Sequence, residues 1–272
     1  MRRWPAPVVD AIEDVAAEQA HRWSAWGHRK IHAMLRADGV TVSPSSVKRA
    51  LARRGLLQPV RYQAERRQLA RARHARFWEP PGRRNRVWQT DFTEFETTAH
   101  GTWRIAGVVD YFTKVCLAAP VSGTQTARDA IEAVKAAIEA AEALLGGSLL
   151  ADCLDPVTGE IHPVTIVSDN GPAYKSTDFL RFIASHSELE HVRTRHHAPQ
   201  TNGVIERFNQ SLKYEHLYRE EIADAQALVE QVERFRQSYN RIRPHEALGF
   251  LPPMVVHLAE PNLFQAESVQ ES

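Results

Sequence analysis

Between residues 86 and 215, strand-like and helix-like stretches alternate in a fixed order. Alternating apolar residues predict three successive strands, VWQTDFTEFE, TWRIAGVVDYF and VCLAAPVS, and an apolar stripe from Ala130 to Leu145 then predicts a long helix. A strand VTIVSD, a helix around Phe179, a strand HVRTR and a helix beginning near Asn202 follow. Because this order is typical of layered α/β domains, we expect a sheet with helices packed against it.

Residues 1–56 have a different pattern and are predicted to form a small all-α unit of short helices. The last of these helices is the best defined, because Ser43 suits its N-cap, Pro44 its first position and Gly55 the position after its end. A short turn over residues 39–42 joins it to the preceding helix. Two helices connected in this way form a helix-turn-helix pattern.

The exposed face of that last helix carries hydroxyl and basic side chains, namely Ser45, Ser46, Lys48, Arg49, Arg53 and Arg54. Such side chains suit a recognition helix, since they reach phosphates and base edges in the major groove of DNA. The alternative is a solvated helical unit that binds nothing, because charged faces are common on protein surfaces.

Charge is distributed unevenly along the chain, although its formal net charge is only +1. Residues 1–90 contain 19 Lys and Arg against 7 Asp and Glu, a net charge of +12, and the remainder has a net charge of −11. Such an excess of positive charge at one end favours a polyanionic partner such as double-stranded DNA. The stretch 57–85 is predicted to be a basic linker whose phosphate-binding residues include Arg66, Arg67, Arg71 and Arg73.

The remaining composition excludes several classes of protein. With 43% hydrophobic residues, the chain can fill a core and is not disordered throughout. Its cysteines, Cys116 and Cys153, are too few for a disulfide framework and form no CxxC pair that would hold zinc. No apolar run has the length of a membrane span or of a signal sequence, so we expect a cytoplasmic protein with no membrane partner.

Three carboxylates stand where the predicted fold would bring them together: Asp91 in the first strand, Asp169 at the end of VTIVSD and Glu206 early in the last helix. A carboxylate next to Phe92 in a central strand is costly to desolvate unless something binds it. Converging carboxylates without nearby cysteines are typical of a site for Mg²⁺ or Mn²⁺. Taken alone, Asp169 is equally typical of a turn and Glu206 of a solvated helix surface.

The strings WQTDFTEF, IVSDNGPAY and HHAPQTNGVIERFNQSLK resemble the core of insertion-sequence transposases and retroviral integrases, the DDE recombinases of the ribonuclease H-like superfamily. The strings WGHRKIHAMLRADGVTVSPSSVKRALARRGL and YNRIRPHEALGFLPP resemble the segments on either side of this core in bacterial insertion-sequence transposases. The chain cannot build the N-terminal zinc domain of retroviral integrases, because no Cys precedes Cys116. The bacterial transposases are therefore the closer resemblance.

The resemblance implies an α/β ribonuclease H-like core with a mixed five-stranded sheet and flanking helices, preceded by the small all-α helix-turn-helix domain. It also implies that Asp91, Asp169 and Glu206 are catalytic metal ligands, with 77 residues between the first two and 36 between the last two. Two Mg²⁺ or Mn²⁺ ions per site would activate the attacking oxygen and stabilise the leaving oxygen. The implied enzyme is a DDE-type polynucleotidyl transferase that cleaves the 3′ ends of a mobile element and transfers the strands.

Further DNA contacts are predicted close to these carboxylates. Lys213 follows Glu206 by two helical turns and lies on the same face, where the family often has a basic residue; the alternative is an ordinary surface lysine. Gln200 and Asn202 lie on the loop that enters the helix, although Asn202 also suits the N-cap. We interpret Asp110, a further carboxylate, as a turn residue or a residue behind the site.

The predicted organisation has four segments: a helix-turn-helix DNA-binding domain (1–56), a basic linker (57–85), an integrase-like catalytic core (86–215) and a helical C-terminal tail (216–272). Residues 148–163 are predicted to be an inserted loop or hairpin. Expected partners are the terminal repeats of the element, target DNA, further copies of the chain on DNA and a DNA-binding protein from an upstream reading frame. The expected location is the bacterial cytoplasm, associated with the nucleoid.

Two other functions remain open. One is a DNA-binding regulator that uses the basic N-terminal part and has an inactive core. The other is a nuclease of the same fold that cuts DNA without joining strands. The presence of all three carboxylates disfavours the inactive core, since an idle core is free to lose any of them.

Overall fold

The structure is a computed structural model that describes residues 6–57, 81–99, 101–193 and 202–259. The chain divides into two compact units, the first formed by Met1–Arg71 with Arg243–Pro252 and the second by Ala72–Ile242 with Pro253–Ser272. Five predicted DNA contacts lie outside the described residues: Arg66, Arg67, Arg71, Arg73 and Gln200. The boundaries of the four segments and the linker therefore stay predictions.

The helices of the described residues are, in chain order, α1 (Ala6–Arg22), α2 (His28–Ala37), α3 (Pro44–Arg53), α4 (Ala127–Leu145), α5 (Leu149–Cys153), α6 (Pro172–Lys175), α7 (Thr177–Ala184), α8 (Gly203–Glu215), α9 (Ala225–Arg241) and α10 (Pro253–Leu258). The strands are β1 (Val87–Glu96), β2 (Thr102–Asp110), β3 (Cys116–Ala118), β4 (Val121–Ser122), β5 (Val164–Ser168) and β6 (Leu189–Arg193). Across the described ranges, none of these helices has the length and apolar character that crossing a membrane requires.

In the first unit, α1, α2 and α3 share one apolar core. Its buried side chains are Ala16, Ala20, Trp26, Ile31, Leu35, Val47, Ala50 and Leu51. α3 begins where the sequence predicts, because the Ser43 hydroxyl accepts the N–H of Ser46 at 3.1 Å and Pro44 occupies the first position. After the helix, Gly55 has a φ of 69°, a left-handed conformation that glycine adopts without a steric cost.

The second unit is built on one mixed sheet whose main path is β3-β2-β1-β5-β6. β1 pairs antiparallel with β2 and parallel with β5, and β5 pairs parallel with β6. The predicted mixed sheet with flanking helices is thus confirmed.

The predicted number of five strands is wrong, because the sheet has six. The predicted third strand is divided into β3 and β4, which both pair with β2. Pro120 lies between them and has no backbone N–H to donate to the ladder, while its carbonyl accepts the N–H of Ala106 at 2.9 Å. The proline therefore ends one short strand, and β4 follows it.

Alternation along the strands divides the core of this unit between the two faces of the sheet. On one face, Trp88 and Val108 pack with side chains of α4, α6 and α7. On the other face, Ile105 and Val109 pack with side chains of α8 and α9. Neighbouring residues of one strand thus belong to different cores, as a period of two requires.

α4 begins at a capping box, in which the Thr126 and Asp129 side chains each accept the backbone N–H of the other residue. It ends before Gly146, which has a φ of 66°. The following residues 148–163 form α5 and a small hairpin closed by a bridge between Leu154 and Ile161. The prediction of an inserted loop or hairpin is therefore confirmed for the part after α5.

Candidate active site

β1 presents Asp91 on the face of the sheet that packs against α8. As predicted, Asp91 lies within the strand, and Gly107 of β2 is its cross-strand partner. Asn209 of α8 donates a hydrogen bond from Nδ2 to Oδ2 of Asp91, with 3.2 Å between the two atoms. The Asp91 carboxylate is thus tied to the helix that carries Glu206.

Asp169 directly follows β5, whose last residue is Ser168. β5 runs parallel to β1 with Val167 beside Gln89, so continuing this register to the strand end sets Asp169 beside Asp91. Oδ1 of Asp169 accepts the N–H of Gly171 at 2.8 Å. This bond closes a turn of the kind that Asp favours, and it orients the carboxylate at the end of the strand.

Glu206 lies in the first turn of α8. The helix begins after Asn202, which occupies the N-cap position as the sequence suggests, but the Asn202 side chain makes no capping hydrogen bond. Oε1 of Gln89 on β1 instead accepts the N–H of Val204 at 2.9 Å and that of Ile205 at 3.1 Å. Asn202 is only 6% exposed, and the DNA contact suggested for it stays a prediction.

The three carboxylates influence one another electrostatically. Burial raises the pKa of Asp91 to about 7, and the negative charges of Asp169 and Glu206 contribute to the rise. Hydrogen bonds from the Phe92 backbone and the Asn209 side chain act in the opposite direction. Both carboxylates thus lie near enough to Asp91 to disfavour its ionised form.

Lys213 lies on α8, two turns after Glu206. Burial lowers the pKa of this half-buried lysine, and the negative charges of Glu94 and Asp91 partly offset the effect. Its ammonium group is therefore within electrostatic reach of the proposed site.

The chemistry of the donor groups fits a hard divalent cation, since Mg²⁺ and Mn²⁺ prefer carboxylate oxygens. Over the residues that the structure describes, no group of three or more His, Cys, Asp or Glu side chains is placed so that it could hold a metal ion. The charges nevertheless fit, because burial and, after it, the negative charges of Asp169 and Glu206 raise the pKa of Asp91, and a bound cation would neutralise those charges. Asp91, Asp169 and Glu206 are the residues that would hold it.

The further carboxylate, Asp110, is completely buried at the end of β2. It accepts the backbone N–H groups of Asn85 at 2.8 Å and Thr113 at 2.7 Å, and the Thr113 hydroxyl at 2.8 Å. Burial raises its pKa, although these donors oppose the rise. Asp110 is therefore a structural turn residue, in agreement with its interpretation from the sequence.

In the first unit, the middle of α3 presents most of the predicted DNA contacts to solvent. Ser45, Lys48 and Arg49 are exposed, and Ser46 is half-buried. Nη2 of Arg49 donates to the Ser46 hydroxyl at 3.2 Å, which orients the guanidinium along the helix surface. This part of α3 offers both positive charge and hydroxyl groups.

The end of α3 differs, because its arginines pair with acidic side chains of α1. Arg53 forms an ion pair with Glu13, and Arg54 forms one with Asp14 at 2.6 Å. Hydrogen bonds from Asp14 and Glu13 raise the pKa of Arg54. Two of the predicted DNA contacts are therefore partly neutralised within the unit.

Sequence reasoning missed three residues that arrange the carboxylates. Gln89 precedes Asp91 by two positions, and Asn209 follows Glu206 by three, so each shares a face with the carboxylate of its own element. These spacings are the sequence signals that could have identified Gln89 and Asn209. Gly107 had none, because its pairing with Asp91 depends on the register of two strands.

The second unit matches a known domain. Residues 81–199 and residues 187–253 each match a family model described as "Integrase core domain". The two matches together extend over residues 81–253, more than half of the 272-residue chain. All three carboxylates lie within this span.

Two curated relatives are proteins of insertion elements. Over 251 residues the chain is 26% identical to an "Insertion element IS476 uncharacterized 39.2 kDa protein" of Xanthomonas euvesicatoria, covering 92% of this chain and 65% of that protein. Over 177 residues it is 28% identical to an "Insertion element IS136 uncharacterized protein" of Agrobacterium fabrum, covering 63% of this chain and 82% of that protein. The chain thus spans less than two thirds of the length of the first relative.

Among solved structures, the chain is similar to one chain of the simian T-cell lymphotropic virus intasome in complex with PP2A regulatory subunit B56 gamma. The TM-score is 0.52 at 21% identity, and the match covers 68% of this chain and 58% of that chain. The likeness establishes a shared fold, the ribonuclease H-like core with its mixed sheet and flanking helices.

Proposed function

Because this chain belongs to the integrase core family, we propose that it is the DNA transposase of a bacterial insertion sequence. It cleaves the 3′ ends of the element and joins them to target DNA, as a DDE-type polynucleotidyl transferase. One observation carries this proposal: Asp91 lies in β1, Asp169 directly follows the parallel neighbouring strand β5, and the helix that carries Glu206 is hydrogen-bonded to Asp91 through Asn209.

In this proposal Asp91, Asp169 and Glu206 hold Mg²⁺ or Mn²⁺, with two ions per site. When bound, such ions activate the attacking oxygen and stabilise the oxygen that leaves phosphorus. The chain orients its own ligands for this task, since the Gly171 amide fixes Asp169 and the Asn209 side chain fixes Asp91.

The proposed reaction consists of two displacements at phosphorus. In cleavage, water attacks the phosphodiester at the element end, the bond between phosphorus and the 3′ oxygen breaks, and a 3′ hydroxyl and a 5′ phosphate result. In joining, that 3′ hydroxyl attacks a phosphodiester of the target, and the displaced target strand leaves with its own 3′ hydroxyl. Cleavage hydrolyses one phosphodiester bond, and joining exchanges one phosphodiester bond for another. Because neither step forms a net additional ester bond, neither requires a nucleotide cofactor.

The first unit supplies DNA binding in this proposal. α3 presents Ser45, Ser46, Lys48 and Arg49 to the terminal repeats, and Arg53 and Arg54 add charge once phosphates replace their acidic partners. Arg66, Arg67, Arg71 and Arg73 contact phosphates without reading sequence. Lys213 and Gln200 contact DNA beside the carboxylates, and copies of the chain assemble on DNA because two element ends must be joined.

The proposal is tested with the purified full chain, Mg²⁺ and labelled duplexes that carry the inverted repeats flanking its coding sequence. We expect Mg²⁺-dependent release of the end and joining to a plasmid target. Asp169→Asn removes one ligand charge and should reduce both reactions to background while DNA binding, measured by fluorescence anisotropy, is retained. Asp178→Asn is the matched control, because this exposed carboxylate pairs with Arg181 on α7, away from β1.

Each result separates the candidate functions. Cleavage without joining supports a nuclease of the same fold, and DNA binding without any chemistry supports a regulator with an inactive core. Joining by Asp169→Asn at the wild-type rate contradicts the assignment of the carboxylates.

A further inference from the structure

The N-terminus of α8 is capped from a distant part of the chain. Its own N-cap residue, Asn202, makes no side-chain cap, so the N–H groups of the first turn need another acceptor. Oε1 of Gln89 accepts from Val204 at 2.9 Å and from Ile205 at 3.1 Å. These are the second and third helical residues, whose N–H groups an N-cap side chain ordinarily satisfies.

We propose that Gln89 is a positioning residue that fixes Glu206 relative to Asp91. Gln89 precedes Asp91 by two residues and therefore lies on the same face of β1. Glu206 directly follows Ile205, whose N–H group Gln89 accepts. The inference rests on the proposed function, because it assigns a task to Gln89 within the proposed site.

Burial makes this cap difficult to replace. Gln89 is 0% exposed, and Ile205 is also 0% exposed. Water therefore has no access to the Ile205 N–H group when the Gln89 acceptor is removed, and a buried donor without an acceptor is costly. The first turn of α8 would have to shift or fray, and Glu206 lies in that turn.

Two further contacts limit where α8 can sit on the sheet. A Cβ atom at Gly107 would lie 2.7 Å from Cδ1 of Ile205, so the helix rests where only a glycine leaves room. One turn further along, Asn209 donates to Asp91 at 3.2 Å. Gln89 fixes the beginning of the helix, whereas Gly107 and Asn209 fix its approach to the strands.

This arrangement matters for catalysis because a displacement of about 1 Å in a reacting site lowers rates about 100-fold. Asp91 is held by a strand and Glu206 by a helix that begins more than a hundred residues later in the chain. Only tertiary contacts can set the distance between two such groups. The Gln89 cap is a contact that reaches the turn of Glu206 from the strand of Asp91.

The test compares three variants of the full chain. Gln89→Met keeps the side-chain length and removes the acceptor, whereas Gln89→Glu restores an acceptor at the same place. Asn240→Leu is the matched control, because Asn240 is a buried amide that also joins a helix to a strand, binding both backbone groups of Cys116. Its hydrogen bonds to Cys116 link α9 to β3.

The rate of hydrogen exchange at the Val204 and Ile205 amides shows whether the cap is intact. A Mg²⁺ titration followed by thermal shift measures the apparent affinity of the three carboxylates for the ion. For Gln89→Met we expect faster exchange at both amides and an apparent Mg²⁺ affinity lower by about 10-fold, the size typical of changes behind metal ligands. Its single-turnover cleavage rate should fall by about 10- to 100-fold, with little change in the KM for DNA. Gln89→Glu should restore slow exchange, and Asn240→Leu should lower the Tm without changing exchange at these amides.

Unchanged exchange at Val204 and Ile205 in Gln89→Met overturns the cap, and an equal loss of Mg²⁺ affinity in Asn240→Leu overturns the positioning role. Failure of the proposed function has a different result. The wild-type chain would then not join DNA, with or without cleaving it, while exchange and the Mg²⁺ titration would still decide the role of Gln89.

Discussion

Gly107 lies directly across the β1–β2 pair from Asp91, and a Cβ atom at Gly107 would lie 2.7 Å from Cδ1 of Ile205. The same Cβ atom would lie 3.6 Å from the ring of Phe208, which is an ordinary contact. The conflict is therefore with Ile205 alone. Because Ile205 is buried and precedes Glu206, a displacement of the Ile205 backbone that relieves this conflict also moves the proposed catalytic turn.

We expect Gly107→Ala to lower the free energy of unfolding by about 1–3 kcal/mol, the usual cost of overpacking a core. The rate of DNA cleavage should also fall, because a shift of α8 away from β2 displaces the turn that carries Glu206. Urea denaturation of Gly107→Ala, Ile205→Val and the double variant measures the coupling. Ile205→Val removes Cδ1, so the double variant should recover part of the loss; strictly additive effects would contradict the steric explanation.

A second substitution changes the orientation of a carboxylate and leaves the helix in place. A Cβ atom at Gly171 would lie 2.9 Å from Oδ1 of Asp169, the end of a flexible side chain. We expect Gly171→Ala to rotate Asp169 and to reduce the cleavage rate by about 10-fold or more, with a stability change within about 1 kcal/mol. Gly147→Ala is the control, because a Cβ atom there meets nothing within 4 Å. A cleavage rate of Gly171→Ala equal to that of the wild type would show that this turn does not determine the orientation of the Asp169 carboxylate.

DNA binding by the first unit is expected to depend on Arg49, whose exposed guanidinium contacts Ser46 within α3. Arg49→Ala should weaken binding and lower the slope of log K against log salt concentration by about 1, as expected when one phosphate contact is lost. Anisotropy titrations at several salt concentrations measure this slope. Arg181→Ala, an exposed arginine of the second unit, is the control and should leave the slope unchanged. Equal slopes for wild type and Arg49→Ala would exclude α3 as the DNA-binding surface at this position.

The capping box of α4 is expected to make stability depend on acid pH. Partial burial acts to raise the pKa of Asp129, but hydrogen bonds from Ser122, Thr126 and Thr124 outweigh it and hold the pKa well below its ordinary range. A carboxylate with a lowered folded-state pKa stabilises the fold above its unfolded pKa of about 3.9, and this stabilisation is lost as the pH falls further.

Asp129→Asn should therefore have a lower Tm than wild type at pH 7 and a smaller difference from wild type at pH 2 to 3. Thermal unfolding followed by circular dichroism across this range measures both. Glu132→Gln, on the same helix in an exposed pair with Lys135, should change stability by less than about 0.5 kcal/mol at any pH. A difference between Asp129→Asn and wild type that is constant with pH would contradict the role of its charge.

Elements defined by neighbouring residues were predictable from the sequence. The bounds of α3 follow from Ser43, Pro44 and Gly55, which act within one turn of the helix ends. The division between β3 and β4 was not predicted, because alternation of apolar residues ignores the missing N–H of Pro120. Strand prediction from period alone therefore overestimates the length of an interrupted strand.

The places of the three carboxylates on their strands and helix were predictable from the sequence, whereas the contacts that arrange them were not. Asp91 and Asp169 occur at recognisable strand positions, so the chain order alone indicates that they approach each other. The cap on α8 joins Gln89 to Val204 across 115 positions, and no local pattern marks such a pair. For Asn202 the local pattern indicates a side-chain cap that the structure does not have. Asn202 occupies the N-cap position, but the buried side chain of Gln89 accepts the N–H groups of the first turn instead.

β1 alternates between two environments, with Trp88 and Phe92 directed to the core below α4 and Gln89 and Asp91 directed to α8. Deleting one residue ahead of Asp91 would exchange these environments and place the Phe92 ring where the carboxylate belongs. The exposed hairpin within residues 148–163 has no such alternation to preserve. Changes of chain length during the evolution of such elements are thus expected to collect in this hairpin, while the number of residues in β1 stays constant.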